Sequence, residues 1–135
     1  MSAERHVLYC DGAARGNPGP AAIGGVLFAP GRVEPVVAIS EAIGRATNNE
    51  AEYRALLAGL QAALEAGVTR LLVRLDSELL VNQMNGSYRV KAAGLKPLHA
   101  QVAALLGRFT SVVFEQVPRE RNSIADELAN AALDA

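Results

Sequence analysis

Residues 6–28, HVLYCDGAARGNPGPAAIGGVLF, indicate how the chain begins to fold. The apolar run at 6–11 ends in Asp11 and is typical of a buried strand. Residues 22–28 predict a second strand, and the glycine- and proline-rich stretch between the two runs predicts a loop at 12–20. The chain therefore opens with two strands, and the first of them ends in an acid.

The next segment changes from strand to helix periodicity. Residues 34–43 predict a third strand, and the turn dipeptide Pro30-Gly31 favours an antiparallel hairpin with the second. From Thr47 the sequence TNNE matches a capping box, and leucines then repeat at helical spacing until Gly67. We therefore expect three antiparallel strands followed by a helix.

The rest of the chain alternates strands and helices. The predicted order is a strand at 71–75, helices at 78–84 and 98–106, a strand at 112–117 and a helix at 122–133. The complete pattern, βββαβααβα, predicts an α/β fold with helices packed on a mixed sheet. At 135 residues the chain is expected to form a single domain, 1–135.

Composition narrows the class of protein. Half of the residues are apolar and 20% are charged, which is typical of a globular protein rather than a disordered one. No apolar run approaches the roughly 18 residues of a transmembrane helix, and residues 1–6 carry no secretory pattern. A single cysteine, Cys10, cannot form an internal disulfide. We expect a cytoplasmic protein that does not bind membranes.

The net charge of −1 does not by itself indicate a nucleic-acid-binding protein, because such proteins are usually basic. The argument changes if several acids are metal ligands, since two divalent cations would bring the net charge from −1 to +3. Arginine outnumbers lysine 11 to 2. This bias suits forked contacts to phosphate, although codon composition explains it more simply.

Four acidic residues stand where a site could form. Asp11 and Asp76 follow two predicted strands, and sites in open α/β sheets lie outside the carboxyl ends of the strands. Glu52 lies at the edge of the apolar stripe of the first helix, where a partly buried carboxylate needs a partner. Asp126 lies in the first turn of the last helix, with an asparagine four residues away on either side. Taken singly, each could be a turn, cap or helix-dipole residue. Four converging carboxylates would repel unless cations intervene, and oxygen ligands suit a hard cation such as Mg²⁺ or Mn²⁺.

Four motifs in this sequence resemble those of the type 1 ribonuclease H family. They are Asp11 followed by GNPG at 16–19, TNNEAE at 47–52, Asp76-Ser77 after a strand, and ADELA at 125–129. They occur in the family's order, and the resemblance covers essentially the whole chain. It implies the ribonuclease H-like fold, a mixed five-stranded sheet of three antiparallel strands and then two parallel ones, with helices on both faces.

The resemblance also implies an activity: endonucleolytic cleavage of the RNA strand of RNA–DNA hybrids, leaving 3′-hydroxyl and 5′-phosphate ends. Two Mg²⁺ ions, for which Mn²⁺ could substitute, would activate the attacking water and stabilise the leaving oxygen. The implied catalytic and metal-binding residues are Asp11, Glu52, Asp76 and Asp126. The implied substrate-binding residues are Gly12, Asn17, Asn48, Asn49, Ser77 and Asn122. The implied partner is an RNA–DNA hybrid, bound by a monomer. Helix capping is the alternative role for Asn48, Asn49 and Ser77.

The sequence departs from the family pattern in two places. Many members carry a histidine in a loop before the last acid, whereas residues 117–123, VPRERNS, have none. Arg119 and Arg121 could contact phosphate there, but arginine stays charged near neutral pH and does not shuttle protons. The long basic protrusion of some members is replaced by a short segment at 86–97, so we expect weaker and less processive hybrid binding.

The alternative function is a non-catalytic or weakly active hybrid-binding module with the same fold. The presence of all four acids argues against it. Other nucleases of the same superfold lack the combination of GNPG and TNN. The sequence leaves open whether the preferred substrate is a long hybrid, an RNA primer or a single ribonucleotide in DNA.

Overall fold

The computed structural model, which describes residues 4–135, contains five strands, four α-helices and one short 3₁₀ helix. The strands are β1 (His6–Ala14), β2 (Gly19–Phe28), β3 (Pro35–Ala46), β4 (Arg70–Leu75) and β5 (Ser111–Gln116). The helices are α1 (Asn48–Glu65), α2 (Glu78–Met84), α3 (Lys96–Leu106) and α4 (Ser123–Asp134), with the 3₁₀ helix at Arg119–Asn122. The predicted order of elements is confirmed. Residues 1–3, part of the N-terminal stretch on which the cytoplasmic expectation rests, lie outside the described residues.

The sheet is mixed, as predicted, with the strand order β3-β2-β1-β4-β5. β2 runs antiparallel to β1 and β3, whereas β4 runs parallel to β1 and β5. The parallel pairing of β1 with β4 ends at Tyr9 and Arg74. Continuing that register by two residues brings Asp11 alongside Asp76. Two acids that are far apart in sequence are therefore neighbours where the two strands separate.

β1 extends further than the sequence predicted. Residues 12–14, expected in a loop, pair with residues 21–23 of β2 and leave only a short turn between the strands. Small side chains make this possible, because a Cβ on Gly12 would come within 2.2 Å of the carbonyl carbon of Ala51 in α1. The prediction that β1 ends at Asp11 is therefore wrong, and this acid lies within a strand.

Helices cover both faces of the sheet, as predicted. Gly12 faces α1, and its cross-strand partner on β2 is Ile23. The next residue, Gly24, faces α4 so closely that a Cβ would lie 2.1 Å from the carbonyl oxygen of Ala125. Because successive strand residues point to opposite faces, α1 and α4 lie on opposite sides of the sheet.

The main core lies between the sheet and α1, with α2 and α3 beside it. Leu8, Leu71 and Val73 of the sheet pack there against buried residues of α1. Cys10 also belongs to this core; it is 1% exposed, and burial raises the pKa of its thiol. No helix between residues 4 and 135 has the length and hydropathy needed to cross a membrane.

Candidate active site

Three of the four predicted acids meet where the interior strands β1 and β4 separate. Asp11, Glu52 and Asp76 each offer a carboxylate oxygen, and the three oxygens lie within 4.8 Å of one another. Asp11 is buried within β1, whereas Glu52 on α1 and Asp76 after β4 are half-buried. The close approach of α1 at Gly12 brings Glu52 over the sheet, since a Cβ there would lie 2.4 Å from the backbone nitrogen of Glu52.

Asp126 adjoins this group from the other face of the sheet. It lies in the first turn of α4, as predicted, and is close enough to Asp11 to hydrogen-bond with that acid when Asp11 is protonated. It does not belong to the group of three acids within 4.8 Å. Nδ2 of Asn130, one helical turn later, donates to Oδ1 of Asp126 at 3.2 Å. The four acids thus form one site, with Asp126 at its margin.

Crowding makes full ionisation of these acids unfavourable. Burial, the charge of Asp76 and the hydrogen bond with Asp126 raise the pKa of Asp11 to about 8. Burial and the charge of Asp76 raise the pKa of Glu52 to about 7. A bound cation would remove this repulsion.

The donor set fits a hard divalent metal. All of its atoms are carboxylate oxygens, the ligands that Mg²⁺ and Mn²⁺ prefer. The small pocket at the acids is lined by Asp11, Glu52 and Asp76 together with Cys10, Leu75, Ser77 and Leu80. The Cys10 thiol is turned into the core, against Gly59 of α1. The residues present therefore match an oxygen-liganded metal and not a zinc site built from cysteine and histidine.

The metal-free protein is expected to become less stable as the pH rises from about 4 to about 8. Asp11 and Glu52 have ordinary pKa values of 3.8 and 4.5, and both values are raised in the folded protein. The folded state therefore keeps protons that the unfolded state has released, and the free energy of unfolding falls by up to about 1.4 kcal/mol per pH unit for each such proton.

Thermal melts in EDTA across this pH range measure the effect, and Asp11→Asn should give a shallower decline. A melting temperature of the wild type that stays level or rises with pH would contradict the expectation.

Asn122 lies beneath the acids and connects β1 to Asp76. It is 1% exposed, and its Nδ2 donates to the carbonyl oxygen of Cys10 at 2.9 Å and to Oδ2 of Asp76 at 3.3 Å. Its Oδ1 is buried and accepts no hydrogen bond from residues 4–135. The resemblance to the ribonuclease H family implies that Asn122 contacts the substrate. Its contacts instead give it a supporting position between β1, Asp76 and α4.

Ser77 and Thr47 cap the two helices that begin beside the acids. The Ser77 hydroxyl accepts from the N–H of Leu80 at 3.2 Å, and its hydrogen bond with Glu52 lowers the pKa of that acid. The predicted capping box is also present, with Thr47 and Glu50 each accepting from the other's backbone N–H. Because Thr47 is the cap of α1, neither Asn48 nor Asn49 serves as one.

The asparagines expected at the substrate lie on the surface beside this cap. Asn17, Asn48 and Asn49 are all exposed, and the N–H of Asn48 donates to Oδ1 of Asn17 at 3.0 Å. This bond joins the turn between β1 and β2 to the start of α1. Gly12, in contrast, is buried beneath α1.

The segment before α4 places an arginine near the acids. Arg119 begins the 3₁₀ helix, and its charge lowers the pKa of Glu52. The two histidines lie elsewhere: His6 begins β1, and the ring of His99 on α3 packs edge-on against Tyr53 with 6.4 Å between ring centres. Neither lines the acid cluster.

Comparison of the sequence and the fold with known proteins identifies the family of this chain. Residues 9–132 match the family described as reverse transcriptase-like. Ribonuclease HI of Halobacterium salinarum is 44% identical over 126 residues, which are 93% of this chain and 63% of that protein. The crystal structure of RNase H1 from Halobacterium salinarum superposes with a TM-score of 0.92 at 44% identity, and the superposition covers 97% of this chain and 98% of that one. The chain belongs to the ribonuclease H family.

Two further proteins with RNase H domains extend the comparison. The bifunctional protein Rv2228c of Mycobacterium tuberculosis is 47% identical over 129 residues, which are 96% of this chain and 35% of that protein. Its N-terminal RNase H domain superposes with a TM-score of 0.92 at 46% identity and covers 96% of this chain and 98% of that one. LC11-RNase H1, solved in complex with an RNA/DNA hybrid, has a TM-score of 0.91 at 41% identity and covers 96% of this chain and 97% of that one. The chain spans about a third of the length of the mycobacterial relative.

Proposed function

We propose that this ribonuclease H domain is an endonuclease that hydrolyses the RNA strand of RNA–DNA hybrids, leaving 3′-hydroxyl and 5′-phosphate ends. The observation that carries the proposal is the meeting of three carboxylates within 4.8 Å, with Asp126 beside them. Family members named ribonuclease HI, and one solved with a hybrid, support the same activity. Retention of all four acids argues against a non-catalytic binding module.

Asp11, Glu52, Asp76 and Asp126 would hold two Mg²⁺ ions, with Mn²⁺ as a substitute. Ions so held supply activation of the attacking water and stabilisation of the leaving 3′ oxygen. The protein's own contribution is to fix the ligands. Hydrogen bonds orient two of the carboxylates, from Asn122 to Asp76 and from Asn130 to Asp126, and Ser77 lies close enough to Glu52 to lower its pKa.

The exposed amides beside the Thr47 cap would account for selection of the RNA strand. Asn17 and Asn49 line a cavity of about 300 Å³ that extends to residues 92–95. Side-chain amides offer both donors and acceptors, and only the RNA strand carries 2′-hydroxyl groups. We assign contacts with the RNA strand to Asn17, Asn48, Asn49, Ser77 and the backbone of Gly12. Asn122 is buried beneath the acids, and its hydrogen bond to Asp76 fixes that carboxylate.

The four acids and the amides assigned to the substrate lie on one chain, and we propose, as expected from the sequence, that the domain acts as a monomer. We also propose that the protein is cytoplasmic, as expected from the sequence.

Cleavage of the RNA strand of a labelled RNA–DNA hybrid is expected with Mg²⁺ or Mn²⁺ and not in EDTA. Duplex DNA of the same sequence is expected to stay intact, because it offers the asparagines no 2′-hydroxyl groups. Gel analysis of both substrates, with the label on either strand, measures this. Comparable cleavage of duplex DNA would contradict the proposed specificity, and hybrid binding without cleavage in either metal would favour the binding-module alternative.

A further inference from the structure

Asn130 connects Asp126 to the turn between β1 and β2 that carries Asn17. Its Nδ2 donates to Oδ1 of Asp126 at 3.2 Å and to the carbonyl oxygen of the same residue at 3.0 Å. Its Oδ1 accepts from Nη2 of Arg15 at 3.4 Å, and Arg15 also forms a 2.7 Å ion pair with Asp134 near the end of α4. The contacts run from Asp134 through Arg15 and Asn130 to Asp126.

The chemistry of Arg15 determines which way the amide of Asn130 faces. A side-chain amide has one accepting and one donating end, whereas a guanidinium only donates. Arg15 therefore pairs with Oδ1 of Asn130, and this orientation turns Nδ2 towards the carboxylate of Asp126. The reverse orientation would place the amide oxygen against the carboxylate and the NH₂ group against the guanidinium.

A hydrogen bond from a helical asparagine to the carbonyl four residues earlier is not unusual in itself. Asn82 on α2 makes the same bond, to the carbonyl oxygen of Glu78 at 2.9 Å. What distinguishes Asn130 is the additional bond to a carboxylate and the arginine on its other side. Asn82 thus provides an internal control for the backbone bond.

We propose that Asn130 is the positioning residue for the Asp126 carboxylate and that Arg15 sets the direction of its amide. This inference rests on the proposed function, because it takes Asp126 as a metal ligand. Asp126 lies at the margin of the acid cluster, and Asn130 limits rotation of its carboxylate. The turn between β1 and β2, which carries both Arg15 and Asn17, is thereby linked to the metal site.

The test is metal binding by Asn130→Ala in the absence of hybrid, measured by calorimetry with Mn²⁺. Loss of a residue that orients a metal ligand typically weakens metal affinity about 10- to 100-fold, so we expect a loss of at least about 10-fold. The rise in melting temperature on adding Mn²⁺ should shrink accordingly. Asn130→Leu, which keeps the side chain's branching without its polar atoms, should give the same loss.

Asn82→Ala is the matched control, and its metal affinity should equal that of the wild type. In cleavage assays Asn130→Ala should require more Mg²⁺ for half-maximal rate, with little change in the KM for the hybrid. Wild-type metal affinity in both Asn130 variants would overturn the inference. A wild-type protein that neither binds metal nor cleaves hybrid would instead overturn the proposed function.

The part played by Arg15 is tested by comparing Arg15→Ala in two backgrounds. If Arg15 acts through Asn130, its removal changes Mn²⁺ affinity in the wild-type background and has no effect in Asn130→Ala. A change of equal size in both backgrounds would show that Arg15 acts on the metal site by its charge alone, and would overturn this part of the proposal.

Discussion

Asp11→Asn is expected to abolish hybrid cleavage, with a loss of at least about 1,000-fold. Loss of a residue that only orients a metal ligand costs about 10- to 100-fold, and the loss of a direct ligand should exceed that. Asp11 is the acid most central to the site, since Asp76, Asp126 and Glu52 all contribute to its raised pKa. Initial rates on a labelled hybrid at saturating Mg²⁺ measure the effect.

The same substitution should leave the fold intact and make the metal-free protein more stable near pH 8. Asparagine is close in shape to a protonated aspartate, so the variant avoids ionising a buried carboxylate among three others. Glu127→Gln is the control for removing one negative charge: Glu127 follows Asp126 on α4 but is exposed, and this substitution should change neither rate nor metal-free stability. Near-normal turnover by a folded Asp11→Asn protein would refute the assignment of this acid as a metal ligand.

Gly24→Ala is expected to lower the free energy of unfolding by at least about 3 kcal/mol, at the upper end of the usual cost of overpacking. The added Cβ would lie 2.1 Å from the carbonyl oxygen of Ala125 and 2.6 Å from the backbone nitrogen of Ala129. Both are backbone atoms of α4, so the whole helix must move to make room. Asp126 lies on that helix, and the hybrid-cleaving rate should fall together with stability.

Gly25→Ala separates this steric effect from the general effect of replacing glycine in a strand. Its Cβ would meet its nearest neighbour, the carbonyl oxygen of Tyr9, at 3.4 Å, which is an ordinary contact. We expect its stability to equal or slightly exceed that of the wild type, because glycine is unfavourable in strands. Denaturant unfolding of both variants gives the comparison. Equal stability of the two would mean that α4 does not pack on β2 as described.

The elements with strong local signals could be predicted from the sequence. The capping box at Thr47, the helical leucine spacing of α1 and the Pro30-Gly31 turn each depend on residues close together in the chain. The first helix accordingly begins where it was expected. The extension of β1 could not be predicted, because its Gly-Ala-Ala composition favours a loop and only the nearby α1 and β2 make it a strand.

The candidate site was partly visible in the sequence. The four acids were identified from their positions and from the resemblance to a family, but their meeting depends on the register between β1 and β4. Asn122 was identified, but its contacts with Cys10 and Asp76 depend on the packing of α4. The position of Asn130, four residues after Asp126, is visible in the sequence. Its contact with Arg15 could not be predicted, because it joins residues that are 115 positions apart.

The burial of Cys10 has a practical use. Only an ionised and accessible thiol reacts with labelling reagents, and this one is 1% exposed, with a pKa raised by its surroundings. The native domain should therefore behave as a cysteine-free protein, and a label could be attached selectively at an exposed loop position such as Ser87→Cys. Cys10 would itself become reactive only when β1 separates from α1. Its modification rate would then report how often the centre of the domain opens, without any introduced probe.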